Sequence, residues 1–189
     1  MTPERLERAA YHYLQRFAAS RARFREVLER KLRRASPDRG PPSPAQRAWI
    51  AAIEEKCVRL GLLDDRRYAE MKARSLLRRG RPPGHVAQWL RARGIGKADI
   101  EAALAALAEE TGGDEMTAHM AALNFARRRR FGPYRTRPLD AARRRREIAA
   151  MMRAGFAYGL ARMIVDAADG DALEIGTDAP LALPDNDAE

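Results

Sequence analysis

The chain reads as all-α, with about nine short helices arranged as three tandem three-helix repeats in an elongated, curved body. Three observations predict this. Apolar residues recur at three- and four-residue steps along nearly the whole chain, the period of a helix with one buried face. No stretch alternates apolar and polar positions with strand-forming side chains, so strands are not expected. Parts of the pattern also recur at a spacing of roughly 50 to 60 residues, as tandem helical units do.

Thr2 before Pro3 reads as an N-cap followed by a first helical turn, and Leu6, Ala10, Tyr13, Leu14 and Phe17 continue that helix. Phe24, Val27, Leu28 and Leu32 mark the second. Residues 36–44 hold Pro37, Gly40, Pro41, Pro42 and Pro44, a stiff loop. Ser43-Pro44-Ala45-Gln46 is a capping box with proline in its permitted first position, opening a helix through Trp49, Ile50, Ile53, Cys57 and Leu60. Asp64-Asp65 caps the next, over about 66 to 79, with Tyr68, Met71, Ser75 and Leu76 on one side. Gly80-Arg81-Pro82-Pro83-Gly84 forces a turn. Two short helices follow, facing inward through Val86, Trp89 and Leu90 and then through Ile100, Ala103, Leu104 and Leu107. After a break between Thr111 and Asp114, a helix through Met116, Met120, Leu123 and Phe125 runs into Arg127-Arg128-Arg129-Arg130 and ends at Phe131-Gly132-Pro133-Tyr134. Asp140 starts a helix through Ile148, Met151 and Met152, and Leu160, Met163, Ile164 and Ala167 form the last.

Leu90-Arg91-Ala92-Arg93-Gly94-Ile95 recurs 61 positions later as Met151-Met152-Arg153-Ala154-Gly155-Phe156. Asp65, Ala69, Leu76, Arg78 and Arg79 recur 49 positions later as Asp114, Ala118, Phe125, Arg127 and Arg128, the difference being a longer loop in the last unit. More faintly, Leu28, Lys31 and Leu32 stand 58 positions before Val86, Trp89 and Leu90. The expected units are residues 1–62, with the Pro-rich loop 36–44, then 63–110 and 113–168. Residues 169–189, acidic and poor in large apolar side chains, are expected to be a disordered tail.

The net charge is +10, and it is unevenly spread. Nothing after Arg162 is basic, so residues 1–162 hold 36 basic against 18 acidic side chains, a net of +18. Such a body favours a polyanionic partner and disfavours an enzyme for acidic-site chemistry on small molecules. Most of the excess of 32 arginines over four lysines reflects a G+C-rich coding sequence; the charge itself is the functional signal. A single cysteine, Cys57, excludes an internal disulfide framework and fits a reducing cytoplasm. With neither a signal-peptide core nor an apolar span of membrane length, a soluble cytoplasmic protein is expected.

Catalytic groups are scarce. His12, His85 and His119 lack partners at metal-ligand spacing, Cys57 lies on an apolar face, and no phosphate-binding glycine motif occurs. The sequence therefore predicts no enzyme, no cofactor and no metal. Its basic clusters are the stronger signal: Arg78, Arg79 and Arg81 flank one helix end, Arg127, Arg128, Arg129 and Arg130 end its counterpart, and Arg143, Arg144, Arg145 and Arg146 cover a turn of the following helix. Between Arg127 and Arg146 stand ten arginines and one acid, Asp140. That density neutralises several phosphates in a salt-dependent way. The blander alternative is that arginines at a helix C-terminus complement its dipole and solvate a surface. No helix carries side chains ordered for reading bases in a major groove, so sequence-specific binding is not expected.

Gly61-Leu62-Leu63-Asp64-Asp65-Arg66-Arg67-Tyr68-Ala69, followed by Leu90-Arg91-Ala92-Arg93-Gly94-Ile95 and a helix with Ile100 and Leu104, closely resembles the central signature of RecX regulatory proteins. Ala10-Tyr11-His12-Tyr13-Leu14, Ser20, Lys31-Leu32 and Arg153-Ala154-Gly155-Phe156 fall where that family has its other marks, so the likeness spans about residues 4 to 167. The resemblance implies tandem three-helix units and a modulator, usually an inhibitor, of the RecA recombinase. Such proteins bind in the groove of the RecA filament on single-stranded DNA and block filament growth, strand exchange and the coprotease activity that triggers the SOS response in DNA repair. Expected partners are thus the RecA filament and single-stranded DNA, with duplex DNA a further candidate through the basic surface, and no membrane; a monomer is expected. The three arginine clusters are the candidate contacts. The acidic tail is a candidate internal competitor for them. A stand-alone, non-sequence-specific nucleic-acid-binding protein is the alternative; it explains the charge but not the repeat or the Gly-Leu-Leu-Asp-Asp signature.

Overall fold

A computed structural model describes residues 1–168; the segment expected to be a disordered acidic tail, 169–189, lies outside the described residues. Among the described residues nine α-helices follow one another: α1 Pro3–Arg16, α2 Arg21–Ala35, α3 Pro44–Arg59, α4 Asp65–Arg78, α5 Pro83–Arg91, α6 Lys97–Thr111, α7 Asp114–Arg129, α8 Ala141–Arg153 and α9 Tyr158–Asp166. One 3-10 turn, Gly132–Tyr134, joins α7 to α8, and no strand occurs among the described residues. The all-α expectation holds.

Local chemistry sets the helix starts. Thr2 accepts from the Arg5 amide, Ser43 and Gln46 form the reciprocal capping box, and Asp64 and Asp140 accept from the amides of Arg67 and Arg143. Gly94 and Gly155, the recurring turn glycines, both adopt left-handed φ, at 74° and 96°. The residue after each, Ile95 or Phe156, is buried.

Asp65 departs from the expectation that it caps its own helix. Its carboxylate accepts from the Arg21 amide at 2.8 Å, so it caps α2 from the start of α4. Ser20, the N-cap of α2, donates its hydroxyl to the Arg93 carbonyl at 2.8 Å. Two side chains thus tie the first three helices to the next three. Burial pushes the Asp65 pKa up, opposed by the bond from Arg21 and the Arg21 charge. A carboxyl whose folded-state pKa is raised subtracts from stability as the pH rises above the ordinary aspartate range. Asp65→Asn keeps the acceptor and removes the half-buried charge, so thermal melts at neutral pH should show no loss or a small gain, with the difference closing at acid pH. Asp65→Ala should cost about 1 kcal/mol. Equal losses in the two variants would overturn this account.

The core divides in two. Leu6, Ala10, Phe24, Leu28, Leu32, Ile50, Ile53, Cys57 and Leu63 form one cluster among α1, α2 and α3. The second runs without interruption from α4 to α9 through residues such as Ala69, Leu77, Leu90, Leu107, Ala121, Met151 and Ile164. Its middle is made of small side chains: Ala69, Ala73, Ala121, Ala122 and Ala126 are fully buried. Several residues that the apolar pattern places on buried faces are exposed, namely Leu60, Met71, Met116, Met152 and Met163, whereas Tyr68, Leu76, Leu123, Ile148, Met151 and Ile164 are buried as expected. On α4 and α7, which pack on each other, the buried face is rotated toward the alanines, and size explains the shift. Alanines let helix axes approach, whereas long methionines fit at the rim.

Candidate nucleic-acid interface

The turn after α4 brings two of the arginine clusters together. Gly80 has φ of 75° and lies so close to α7 that an added Cβ would stand 2.5 Å from the Phe125 amide nitrogen. This approach places the end of α4 beside the last turns of α7. The result is a cleft of about 540 Å³ lined by Arg79, Gly80, Arg81, Pro82, Phe125, Arg128, Arg129 and Ala154. Its aromatic lining is fixed: Phe125 meets Phe156 edge-on at 5.4 Å and Phe131 at 6.1 Å, while the Arg129 guanidinium lies 5.7 Å from the Phe125 ring centroid. Four arginines, with no acid among the described residues of the lining, suit a phosphate chain.

A second cleft, of about 470 Å³, opens between the 3-10 turn and α8. Arg130, Arg135, Arg137, Arg143, Arg146 and Arg153 line it together with Glu147. Arg130 closes α7 at φ 57°, a left-handed conformation that costs a non-glycine residue about 1 kcal/mol. Glu147, only 4% exposed, accepts from the Gly132 amide at 3.1 Å and from Arg135 at 3.0 Å. Arg135 also donates to the Val165 carbonyl at 2.6 Å, locking the 3-10 turn to α9. Glu147→Ala would leave the Arg135 charge buried without its counter-ion, an expected loss of about 3 kcal/mol in denaturant unfolding. No loss would mean that the pair contributes no stability.

The other predicted positions divide by environment. Arg78 and Arg145 are exposed and line neither cleft. Arg127 is exposed, with its guanidinium 5.2 Å from the Tyr134 ring centroid. Arg144 forms a two-pronged pair with Asp166 at 2.6 Å per bond, and this holds the Asp166 carboxyl below its ordinary pKa. Arg143 lines the second cleft and donates to the Pro138 carbonyl at 2.6 Å.

Sequence reasoning missed Arg135, Arg137 and Arg153, although the first two fall inside the arginine-dense run. It also missed a cleft of about 620 Å³ beside α2, lined by Arg23, Arg30, Arg33, Arg34, Arg39 and Glu26. The i, i+7, i+10 and i+11 spacing of Arg23, Arg30, Arg33 and Arg34, which keeps them on one side of α2, could have shown it. No group of three or more histidine, cysteine or acidic side chains suited to a metal occurs among the described residues. None of the described helices is long and apolar enough to cross a membrane.

Residues 64–104 match the family model for the second three-helix domain of RecX. The chain is 39% identical over 167 residues to the regulatory protein RecX of Myxococcus xanthus, covering 88% of this chain and 87% of that one. It is 33% identical to the regulatory protein RecX of Agrobacterium fabrum, with 92% and 88% covered. Among solved structures, RecX from Lactobacillus salivarius superposes with a TM-score of 0.60 at 18% identity, covering 92% of this chain and 97% of that one. Another structure of regulatory protein RecX gives 0.59 at 23% identity, with 87% and 71% covered. These two show the shared fold, and the near-full-length identity to curated relatives shows the family: the chain belongs to the RecX regulatory proteins.

Proposed function

We propose that this protein binds the RecA recombinase filament on single-stranded DNA and modulates it in the inhibitory direction, lowering its ATPase, strand-exchange and coprotease activities. Through the last of these it acts on the SOS response and DNA repair. The observation that carries the reading is the meeting of Arg79, Arg81, Arg128 and Arg129 in one cleft, within a chain of the RecX family. Such a cleft suits the backbone of filament DNA or an acidic RecA surface. The protein acts as a cytoplasmic monomer without a cofactor and catalyses no reaction of its own.

RecA ATPase and strand exchange on single-stranded DNA, titrated with this protein at two salt concentrations beside a DNA-only binding control, test the proposal. Inhibition at amounts well below RecA, with little bare DNA covered, is the expected result. Inhibition only when the DNA itself is saturated would replace it with the second reading, a stand-alone nucleic-acid-binding protein. That reading is favoured by the third basic cleft beside α2, remote in sequence from the other two.

A further inference from the structure

Beside the first arginine cleft lies a smaller one, of about 330 Å³, lined by Leu76, Arg81, His85, Gln88, Trp89, Ala92 and Arg93. Arg81 belongs to both. The two are joined a second way: His85 sits against Gly155, where an added Cβ would stand 2.9 Å from the imidazole Nε2, and the neighbouring Ala154 lines the arginine cleft. In the smaller cleft the Arg93 guanidinium carbon is 3.4 Å from the Trp89 ring centroid, a stacking distance. Trp89 is half-buried against the second core, and Arg93 itself is exposed. The backbone carrying Arg93 is anchored by the bond from Ser20, and Gly94 packs directly on Ala22.

We propose that this cleft is a nucleobase pocket for single-stranded nucleic acid, fed by a phosphate track in the adjoining arginine cleft. The proposal rests on the reading above that the arginine cleft holds a nucleic-acid backbone. A strand whose phosphates meet Arg128, Arg129 and Arg81 passes the mouth of the smaller cleft at Arg81. An unpaired base turning inward there stacks on the outer face of the Arg93 guanidinium, whose inner face is backed by the Trp89 indole. The pocket volume lies within the range of small-ligand sites, about 300–1,000 Å³. At the base edge, the Gln88 amide offers both a donor and an acceptor, and the His85 imidazole offers one of each in its neutral form. Donors and acceptors of both kinds accept any base, so the pocket reads the presence of an unpaired base rather than its identity. Bases stacked within a duplex cannot enter it.

A Trp49→Phe chain leaves Trp89 as the sole tryptophan and reports directly on the pocket. Its fluorescence and affinity are measured with oligothymidylate and with an abasic oligonucleotide of equal length, which carries the same phosphates and no bases. Both should bind with similar salt dependence, but oligothymidylate about tenfold more tightly and with quenching of Trp89. Arg93→Lys, which keeps the charge and loses the stacking plane, should abolish the preference and the quenching while leaving the salt dependence unchanged. Equal affinities for the two strands, or a preference that survives Arg93→Lys, would overturn the pocket and leave a phosphate track alone. Binding of neither strand would overturn the arginine cleft as a nucleic-acid site, and the pocket with it.

Discussion

Replacing Arg81, Arg128 and Arg129 together with glutamate should weaken binding to single-stranded DNA by about a hundredfold or more at moderate salt and flatten the salt dependence by roughly two to three in log–log slope. All three are exposed, and the described residues of the cleft they line include no carboxylate to substitute for the phosphates. Helicity should survive, because Arg81 lies outside any helix and the other two stand in the last turn of α7. The informative control is Arg23, Arg30 and Arg33 to glutamate, the same change in net charge placed on the cleft beside α2. Fluorescence anisotropy over a salt series separates the two, with circular dichroism to check folding. A much smaller loss in the control would assign the binding to the α4–α7 cleft. Equal losses would mean that the body attracts polyanions through its overall field and that no cleft is special.

The second large effect is expected at Gly80. Its left-handed φ strains any side chain, and a Cβ there would drive into the Phe125 backbone rather than into a movable side-chain tip. Overpacking against backbone adds about 1–3 kcal/mol to a conformational cost of about 1 kcal/mol, so Gly80→Ala should lose about 3 kcal/mol in denaturant unfolding. Because the same contact positions Arg79 and Arg81 beside Arg128 and Arg129, DNA affinity should fall with stability even under conditions where the variant remains folded. Gly84→Ala is the companion variant, since nothing lies within 4 Å of an added Cβ there and its φ is not left-handed. A stable Gly80→Ala chain with full affinity would show that the close approach of α4 to α7 is not what builds the cleft.

Most helix starts were legible because the physics that sets them is short-ranged. A cap such as Ser43 with Gln46 or Asp140 with the Arg143 amide is complete within four residues, so residue identity and spacing alone specify it. The recurring Arg-Gly and Ala-Gly turns at Gly94 and Gly155 were readable for the same reason, as each needs a left-handed residue at one point. The candidate arginines were legible one by one, but not which of them share a cleft. Arg144 looked equivalent to Arg143 and Arg146 in the sequence, yet it meets Asp166, 22 residues away, on another helix. Arg135, from the turn before α8, and Arg153, the last residue of α8, join the same second cleft.

An all-α chain of amphipathic helices with a strongly basic body followed from the residues themselves, since helical period, caps and charge are properties of neighbouring positions. Tertiary structure alone decided that alanines of α4 and α7, rather than Met71 and Met116, fill the contact between these helices, because small side chains let two backbones approach closely. It also decided that Asp65 caps α2 and that Gly80 rests on Phe125. Both contacts join residues more than forty positions apart, and no periodicity in a single helix encodes a distance between two of them.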